Sequence, residues 1–324
     1  MLIGLDAIPL EPPRTGIGYY TYELTRALAL SAPADLFQLV SPYRPSFDDA
    51  EGDALSSIEF PENVRVAHVR SRLLRRRWWA VGAPVYVRRA RLELFHGTNY
   101  NVPLWASCPL VLSVHDLSLL VYPETHEAAA VRRARRVLPL MVRAATMILT
   151  DTESVRREVC ERMRVEPARV AAVHIAPRSV FRPLPAEEAA RALRRLGIAG
   201  EFLLYVGTIE PRKNLKTLVR ALDLLRRTTE LRPRLVIAGK QGWLNEELYA
   251  EIGRLDLSRQ IHFTGYVSDE DLRALYTSCT ACLYPSLYEG FGLPPLEAMR
   301  CGAPVVASRI PSVVETAGEH AARL

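Results

Sequence analysis

The chain holds very little lysine. Only Lys213, Lys216 and Lys240 are present among 42 basic residues, so 39 are arginine, and the formal net charge is +6. Residues 1–176 carry 22 basic and 19 acidic side chains and residues 177–324 carry 20 and 17, which leaves +3 in each part. So even a balance lacks the one-sided basic domain of a nucleic-acid binder, and no nucleic-acid partner is expected. Cysteine is sparse too. Among five scattered thiols only Cys279 and Cys282 have CxxC spacing, and no second pair completes a tetrahedral zinc site. Cys282, in the apolar run Ala281-Cys282-Leu283-Tyr284, reads as a buried strand thiol. No run of 18 apolar residues occurs, so no spanning helix is expected. The opening Met1-Leu2-Ile3-Gly4-Leu5-Asp6 lacks a basic segment followed by a long apolar run, which points to a cytoplasmic protein. Acids are missing from one stretch. Between Asn63 and Leu92 stand nine arginines and no acid, with Arg70, Arg72, Arg75, Arg76 and Arg77 leading into Trp78 and Trp79. Arginine beside indole suits peripheral contact with an anionic membrane, here the inner face of the cytoplasmic membrane. A solvated loop whose tryptophans anchor it to the core accounts for the same residues.

What is present is a regular alternation. Short apolar runs at 2–6, 37–41, 64–68, 92–96, 110–115, 147–151 and 170–175 are followed by a second series at 202–207, 234–239, 261–265, 281–285 and 304–308. Amphipathic helical patterns such as 19–30, 131–144 and 187–196 lie between most of them. Strand alternating with helix predicts parallel sheets covered on both faces. Two consecutive sets predict two Rossmann-like domains, an N-terminal one over 1–176 and a C-terminal one over 177–324. The join falls in the aperiodic stretch 176–185, with Pro177, Pro183 and Pro185. Ligands in such sheets bind beyond the carboxyl ends of strands, so two facing domains would place a cleft between them.

The loops after strands therefore carry the candidate residues. Glu289-Gly290-Phe291-Gly292-Leu293-Pro294-Pro295-Leu296-Glu297 follows a strand and opens a helix. Proline suits the first helical turn and Gly302 the stop. Gly290 and Gly292 let backbone amides and the helix dipole approach an anion, while Glu289 and Glu297 can each accept hydrogen bonds from sugar hydroxyls. Glycines serving a tight turn and a glutamate favouring the dipole explain the same letters. The second loop, Gly207-Thr208-Ile209-Glu210-Pro211-Arg212-Lys213-Asn214, sets two cations at the positive end of a helix capped by Asn214. A bound nucleoside diphosphate would remove that conflict. The bland alternative pairs Arg212 with Glu210. A third glycine segment, Arg14-Thr15-Gly16-Ile17-Gly18-Tyr19, precedes a helix, and His115-Asp116 ends the strand at 110–115. The histidine either bonds a substrate hydroxyl or satisfies local backbone. Asp269-Glu270-Asp271, after Ser268, mimics a metal-binding triplet but reads as the acidic first turn of a helix.

With these residues in place the chain resembles glycosyltransferase family 4, through the Glu289…Glu297 pair, the 207–214 loop, His115-Asp116 and Gly16-Ile17-Gly18. The 206–215 segment is especially similar to bacterial mannosyltransferase-type members that build polysaccharides. The resemblance implies a GT-B fold with an acceptor-side domain over 1–176 and a nucleotide-sugar-binding domain over 177–324, retention of anomeric configuration, no metal and no cofactor beyond a nucleoside-diphosphate sugar, with GDP-mannose favoured, and a saccharide or lipid-linked acceptor. It implies that Arg212 and Lys213 grip the diphosphate, that Glu289 and His115 contact the sugar, and that Glu297 holds the ribose. Phe291, Gly292 and Leu293 would offer amides, and Gly16 and Gly18 would approach the diphosphate. Tyr266 and Val267 would line the base. Thr208 stands where many members carry arginine after the glycine matched by Gly207. Members usually continue past this chain's last residues into a helix that packs back on the N-terminal domain, and that crossover helix is expected to be missing. Its loss keeps two other readings in view, a nucleotide-sugar-binding protein without turnover and a truncated inactive fragment. A sugar-nucleotide epimerase would share the fold. A dinucleotide-dependent enzyme requires a full glycine fingerprint with an acid about 20 residues on, which the N-terminus lacks.

Overall fold

The apolar runs form two sheets, and every strand pairing in both is parallel. The computed structural model describes residues 1–12, 16–43, 59–69, 72–318 and 322–323. Arg14, Thr15 and Arg70 lie outside the described residues, as does His320.

The chain divides into two units. The first comprises Met1–His115 with Ala134–Val173, and the second comprises Asp116–Arg133 with His174–Leu324. The first sheet contains β1 (Leu2–Asp6), β2 (Leu36–Ser41), β3 (Val64–His68), β4 (Leu94–Gly97), β5 (Leu110–Val114), β6 (Met147–Thr150) and β7 (Val170–Ala172). Their spatial order is β3-β2-β1-β4-β5-β6-β7. The second contains β8 (Phe202–Val206), β9 (Arg234–Ala238), β10 (Ile261–Gly265), β11 (Ala281–Tyr284), β12 (Val305–Ala307) and β13 (Ala322–Arg323), in the order β10-β9-β8-β11-β12-β13. Both orders are those of doubly wound nucleotide-binding sheets, in which winding reverses beside the first strand. Burial explains the composition of the strands. Leu235, Val236, Ile237 and Ala238 of β9 are all buried, as expected of a strand covered on both faces.

The second unit has a layer of packing on each face of its sheet. One joins Phe181, Phe202, Leu204, Val236, Tyr276 and Cys282, and the other joins Tyr205, Leu218, Val219, Leu235, Ile237 and Ile252. Cys282 is fully buried, and burial pushes its thiol well above the usual range, so it is core. The acidic triplet is the first turn of helix Asp269–Ser278, where the Ser268 hydroxyl accepts a hydrogen bond from the Asp271 amide.

Two local expectations need correction. The first helix spans Gly16–Ser31, so Gly16 and Gly18 form its opening turn instead of a loop before Tyr19. Asn214 precedes helix Leu215–Thr228 in a left-handed conformation (φ 57°) and makes no capping bond with its side chain, whose carbonyl oxygen accepts from the Thr217 hydroxyl. Of the two readings of the arginine-rich stretch, the anchoring one holds for Trp78, which is buried, while Trp79 is half-buried. No helix among the described residues is long and apolar enough to cross a membrane.

The ends of β8 and β9 approach more closely than any side chain permits. Gly239 has φ 153°, and a Cβ placed on it would lie 2.0 Å from the carbonyl oxygen of Gly207. Gly239→Ala is therefore expected to lower the unfolding free energy by about 2–4 kcal/mol, read from a denaturant midpoint. Gly253→Ala, in helix Glu246–Arg254 with open space around its Cβ, is expected to raise it by about 0.5–1 kcal/mol.

Candidate active site

In the second sheet β8 and β11 are neighbours while β9 follows β8 on the other side, so the loops leaving β8 and β11 part at the reversal point. Ligands of open parallel sheets bind outside the carboxyl ends at that position. The sequence sends Gly207–Lys213 out of one strand and Pro285–Gly292 out of the other, and the two loops meet.

The meeting is ionic. A short helical turn, Pro211–Lys213, holds both cations. Arg212, only 8% exposed, donates from Nη1 to the Tyr288 carbonyl (2.7 Å) and Glu289 Oε2 (3.0 Å), and from Nη2 to Glu210 Oε1 (2.6 Å). Lys213 Nζ donates to Glu289 Oε1 at 2.6 Å and stands 5.6 Å from the Tyr284 ring centre. Both oxygens of Glu289 are thus held. Burial pushes that carboxyl up, but Lys213 and then Arg212 outweigh it and bring it down to about 2. Burial lowers Arg212 and is likewise outweighed, here by Glu289, Asp116 and Glu210, so its guanidinium stays charged. The pairing with Glu210 considered from sequence is present, together with two further bonds that sequence spacing cannot show. Among the described residues Arg212 is therefore engaged at three protein oxygens, whereas Lys213 has one such bond. Arg212 Nε is buried and has no partner among the described residues.

The backbone beyond Glu289 is fixed from a later helix, Pro311–Ala317. The Ser312 hydroxyl donates to the Glu289 carbonyl (2.6 Å) and the Thr316 hydroxyl donates to the Phe291 carbonyl (2.9 Å). With carbonyls turned that way, Gly292 takes φ 94° and caps helix Leu293–Arg300 without a side-chain bond. The amides of Gly292 and Leu293 precede any helical acceptor, and Pro294 and Pro295 bring none. Such an opening turn is ready for an anion. Farther along the same helix, Glu297 is buried and accepts from the Tyr276 hydroxyl at 3.1 Å. Burial raises its carboxyl to about 7, against the opposing influence of Arg178 and of the Tyr276 bond. Arg178 itself is bound by Asp269.

The remaining candidates lie at strand ends in both units. Gly207, with φ 150°, leaves β8, and the Thr208 carbonyl accepts from the Tyr205 hydroxyl (3.3 Å). Tyr266, 50% exposed, and Val267 follow β10, with Val267 packed on the core. In the first unit His115 is buried at the end of β5, its Nδ1 2.8 Å from Asp151 Oδ2 and its Nε2 2.8 Å from the Thr98 carbonyl. Tyr20 meets the ring edge-on at 4.7 Å. Both nitrogens face acceptors of the protein, so the local role weighed from sequence is present. Gly16 opens its helix with free space around it. Tyr276, Tyr288, Ser312, Thr316 and Asp151 carry no local motif. Only contacts between residues distant in sequence identify them.

Comparison with known proteins agrees with this geometry. The family described as Glycosyltransferase Family 4 matches residues 14–176, and that described as Glycosyl transferases group 1 matches residues 194–324. The O-antigen chain mannosyltransferase B of Escherichia coli is 33% identical over 325 residues, covering 96% of this chain and 83% of that protein. The O-antigen chain mannosyltransferase RfbU of Salmonella typhimurium is 23% identical over 304 residues, covering 92% and 80%. Among solved structures, HepE of Anabaena in complex with UDP and glucose superposes with a TM-score of 0.70 at 20% identity, over 97% of this chain and 82% of that one. WaaG, a glycosyltransferase involved in lipopolysaccharide biosynthesis, gives 0.69 at 16% identity, over 99% and 83%. These structures show the same fold. With a family match across about half its length and a one-third identical relative along nearly all of it, the chain belongs to glycosyltransferase family 4.

Proposed function

We propose that the chain is a retaining, metal-independent mannosyltransferase of polysaccharide synthesis, using GDP-mannose as donor and a saccharide or lipid-linked acceptor. One observation carries the reading: Lys213 and Glu289, from two different strand ends, meet in the loop that leads into helix Leu293–Arg300. Together they place a cation and an anion beside the amides that open that helix. A sugar diphosphate presents the matching set of hydroxyls and phosphate oxygens. The preference for mannose rests on the names of the Escherichia coli and Salmonella typhimurium relatives.

In this mechanism the acceptor oxygen bonds to the anomeric carbon from the side on which the diphosphate departs, which retains configuration. The carbon–oxygen bond to the diphosphate breaks, and a phosphate oxygen takes the acceptor's proton. Lys213 and the Phe291, Gly292 and Leu293 amides stabilise the charge that develops on the leaving group. Glu289 and Glu297 accept from sugar and ribose hydroxyls, Gly207 and Thr208 border the phosphates, and Tyr266 and Val267 border the base. Arg212, tied to three protein oxygens, positions Glu289. His115 and Gly16 enter this reading through family resemblance alone. A panel of nucleotide sugars tests it. At a hundredfold excess over Kd a bound donor adds about 2.7 kcal/mol, so GDP-mannose is expected to raise the melting point. Free nucleoside diphosphate should then appear when acceptor is added. Binding without release would favour a non-catalytic protein.

A peripheral membrane contact is proposed on the basic part of the first unit. Arg76 and Arg77 are exposed, and so is Trp105 (52%), whose Nε1 donates to the Ala80 carbonyl at 3.1 Å. Leu104 beside it is exposed and bonded through its amide to the Trp79 carbonyl. Each arginine near an anionic surface contributes about 1 kcal/mol. Reversing both, Arg76→Glu with Arg77→Glu, is expected to cut sedimentation with phosphatidylserine vesicles by about tenfold or more. Undiminished sedimentation removes this contact.

A further inference from the structure

Asp116, next to His115 in sequence, has no part in the proposed transfer. It opens a segment, Asp116–Arg133, that follows β5 in sequence yet belongs to the second unit. The first half of this segment is tightly wound. Asp116 Oδ1 accepts from the Ser118 amide and hydroxyl (2.9 and 2.8 Å), and Ser118–Val121 and Pro123–Thr125 form two short helical turns. Leu117, Ser118 and Thr125 are buried.

Two aromatic side chains fasten the segment. The Tyr288 hydroxyl accepts from the Leu117 amide at 3.0 Å, and its ring centre lies 5.7 Å from that of Tyr122. At the other end Trp243 Nε1 donates to the Thr125 carbonyl at 2.9 Å, and the indole lies 5.8 Å from the His126 ring. Both fasteners also reach the loop that carries Arg212 and Lys213. The Tyr288 carbonyl accepts from Arg212 Nη1 at 2.7 Å, and the neighbouring Leu287 amide donates to the Arg212 carbonyl at 2.9 Å. The Gly242 amide, beside Trp243, donates to the Ile209 carbonyl at 3.0 Å. Burial lowers the Arg212 guanidinium, and Asp116 is among the carboxylates that outweigh it. A loop loses conformational entropy for every residue it fixes, so bonds to a second segment are what restrict it to one geometry. That restriction matters for rate, because a misplacement of about 1 Å costs roughly a hundredfold.

We propose that Tyr288 is a positioning residue for the transfer step. Its hydroxyl and its carbonyl together lock the 116–126 segment to the Arg212–Lys213 turn, which fixes Lys213 against Glu289. The inference rests on the transfer reading for its effect on rate, and on these bonds alone for its effect on the turn. Tyr288→Phe deletes one oxygen and keeps both the ring and the carbonyl. Its single-turnover rate at saturating donor is expected to fall about tenfold, with donor Kd changed less than about twofold and the thermal midpoint near wild type. Trp243→Phe releases the other end and is expected to slow the same step. Because both act through one segment, the double variant should be no slower than about half the rate of the slower single, whereas independent effects multiply. The amides of Lys213 and Asn214, bonded to the Glu210 and Pro211 carbonyls, give a readout without substrate. Their hydrogen exchange should quicken about tenfold in both variants. In a wild type that turns over, either change without the other overturns the positioning role, as does a rate loss that multiplies in the double variant or that tracks weaker donor binding. Faster exchange in the variants of a protein that transfers no sugar from any nucleotide donor retains the lock and loses the transfer reading. Turnover in wild type, with exchange and rate both unchanged in Tyr288→Phe, retains the transfer reading and loses the lock.

Discussion

Replacing Lys213 by alanine is expected to lower turnover by roughly ten- to a hundredfold and leave the protein folded, because one charged donor to the leaving group is lost. The fold survives for a reason visible in the ion-pair geometry. Glu289 keeps Arg212 on its second oxygen at 3.0 Å, and Arg212 keeps Glu210 and the Tyr288 carbonyl. Stability should fall by about 1–3 kcal/mol, the cost of leaving one buried oxygen short of a partner. Glu289→Ala differs in kind. It strands both cations in a largely buried site, and breaking a buried pair in this way removes about 3–5 kcal/mol. Single-turnover product formation at saturating donor, beside a thermal midpoint, separates the effects. An unchanged single-turnover rate in Lys213→Ala would remove this lysine from leaving-group stabilisation. A rate loss matched by equal unfolding would make the residue merely structural.

Much of this arrangement was legible from letters alone because it is local. A strand ending in glycine followed by Glu-Pro-Arg-Lys-Asn, and a glycine pair followed by two prolines and a glutamate, mark loop, cap and helix through short-range chemistry. The Ser268 cap and the buried Cys282 strand belong to the same class. What could not be read is whatever depends on the meeting of distant segments. Glu289 and Lys213 are 76 residues apart, and their pairing changes the picture of two free cations into one of a neutralised set. The Ser312 and Thr316 hydroxyls that orient the Gly292 turn lie on a helix with no motif of its own. Trp78 and Trp105 show the same limit. Adjacency to arginine singled out Trp78, whereas burial removes it from the surface and leaves Trp105 exposed. Asn214 departs from the expected side-chain cap because asparagine tolerates the left-handed region, and here that tolerance outweighs its capping tendency.

Glu297 gives the second large expectation, because fold stability and donor affinity should respond to it in opposite directions over the same pH window. Burial raises its carboxyl from 4.5 to about 7, so the folded protein binds this proton more tightly than the unfolded chain does. The resulting stabilisation is fully present below about pH 4.5 and is lost as pH rises through about 7. At higher pH the residue holds a buried charge, a penalty of the order of 3 kcal/mol from that shift. Glu297→Gln keeps the size and the Tyr276 contact but has no charge to bury. It is expected to be more stable than wild type near pH 8 by up to about that amount and nearly equal near pH 5. Asp6, which burial also raises to about 7, contributes a slope of the same sign in both proteins and cancels from their difference. Donor affinity should run the other way. Ribose hydroxyls donate best to an ionised carboxylate, so wild-type affinity rises with pH through about 7, while the glutamine variant binds at least tenfold more weakly near pH 8 and shows a flat profile. Calorimetric titration of both proteins with donor at several pH values reads the affinity, and denaturant midpoints under the same conditions read the stability. Parallel affinity profiles for wild type and Glu297→Gln would mean that this carboxylate does not touch the donor, even if the stability difference appears as described.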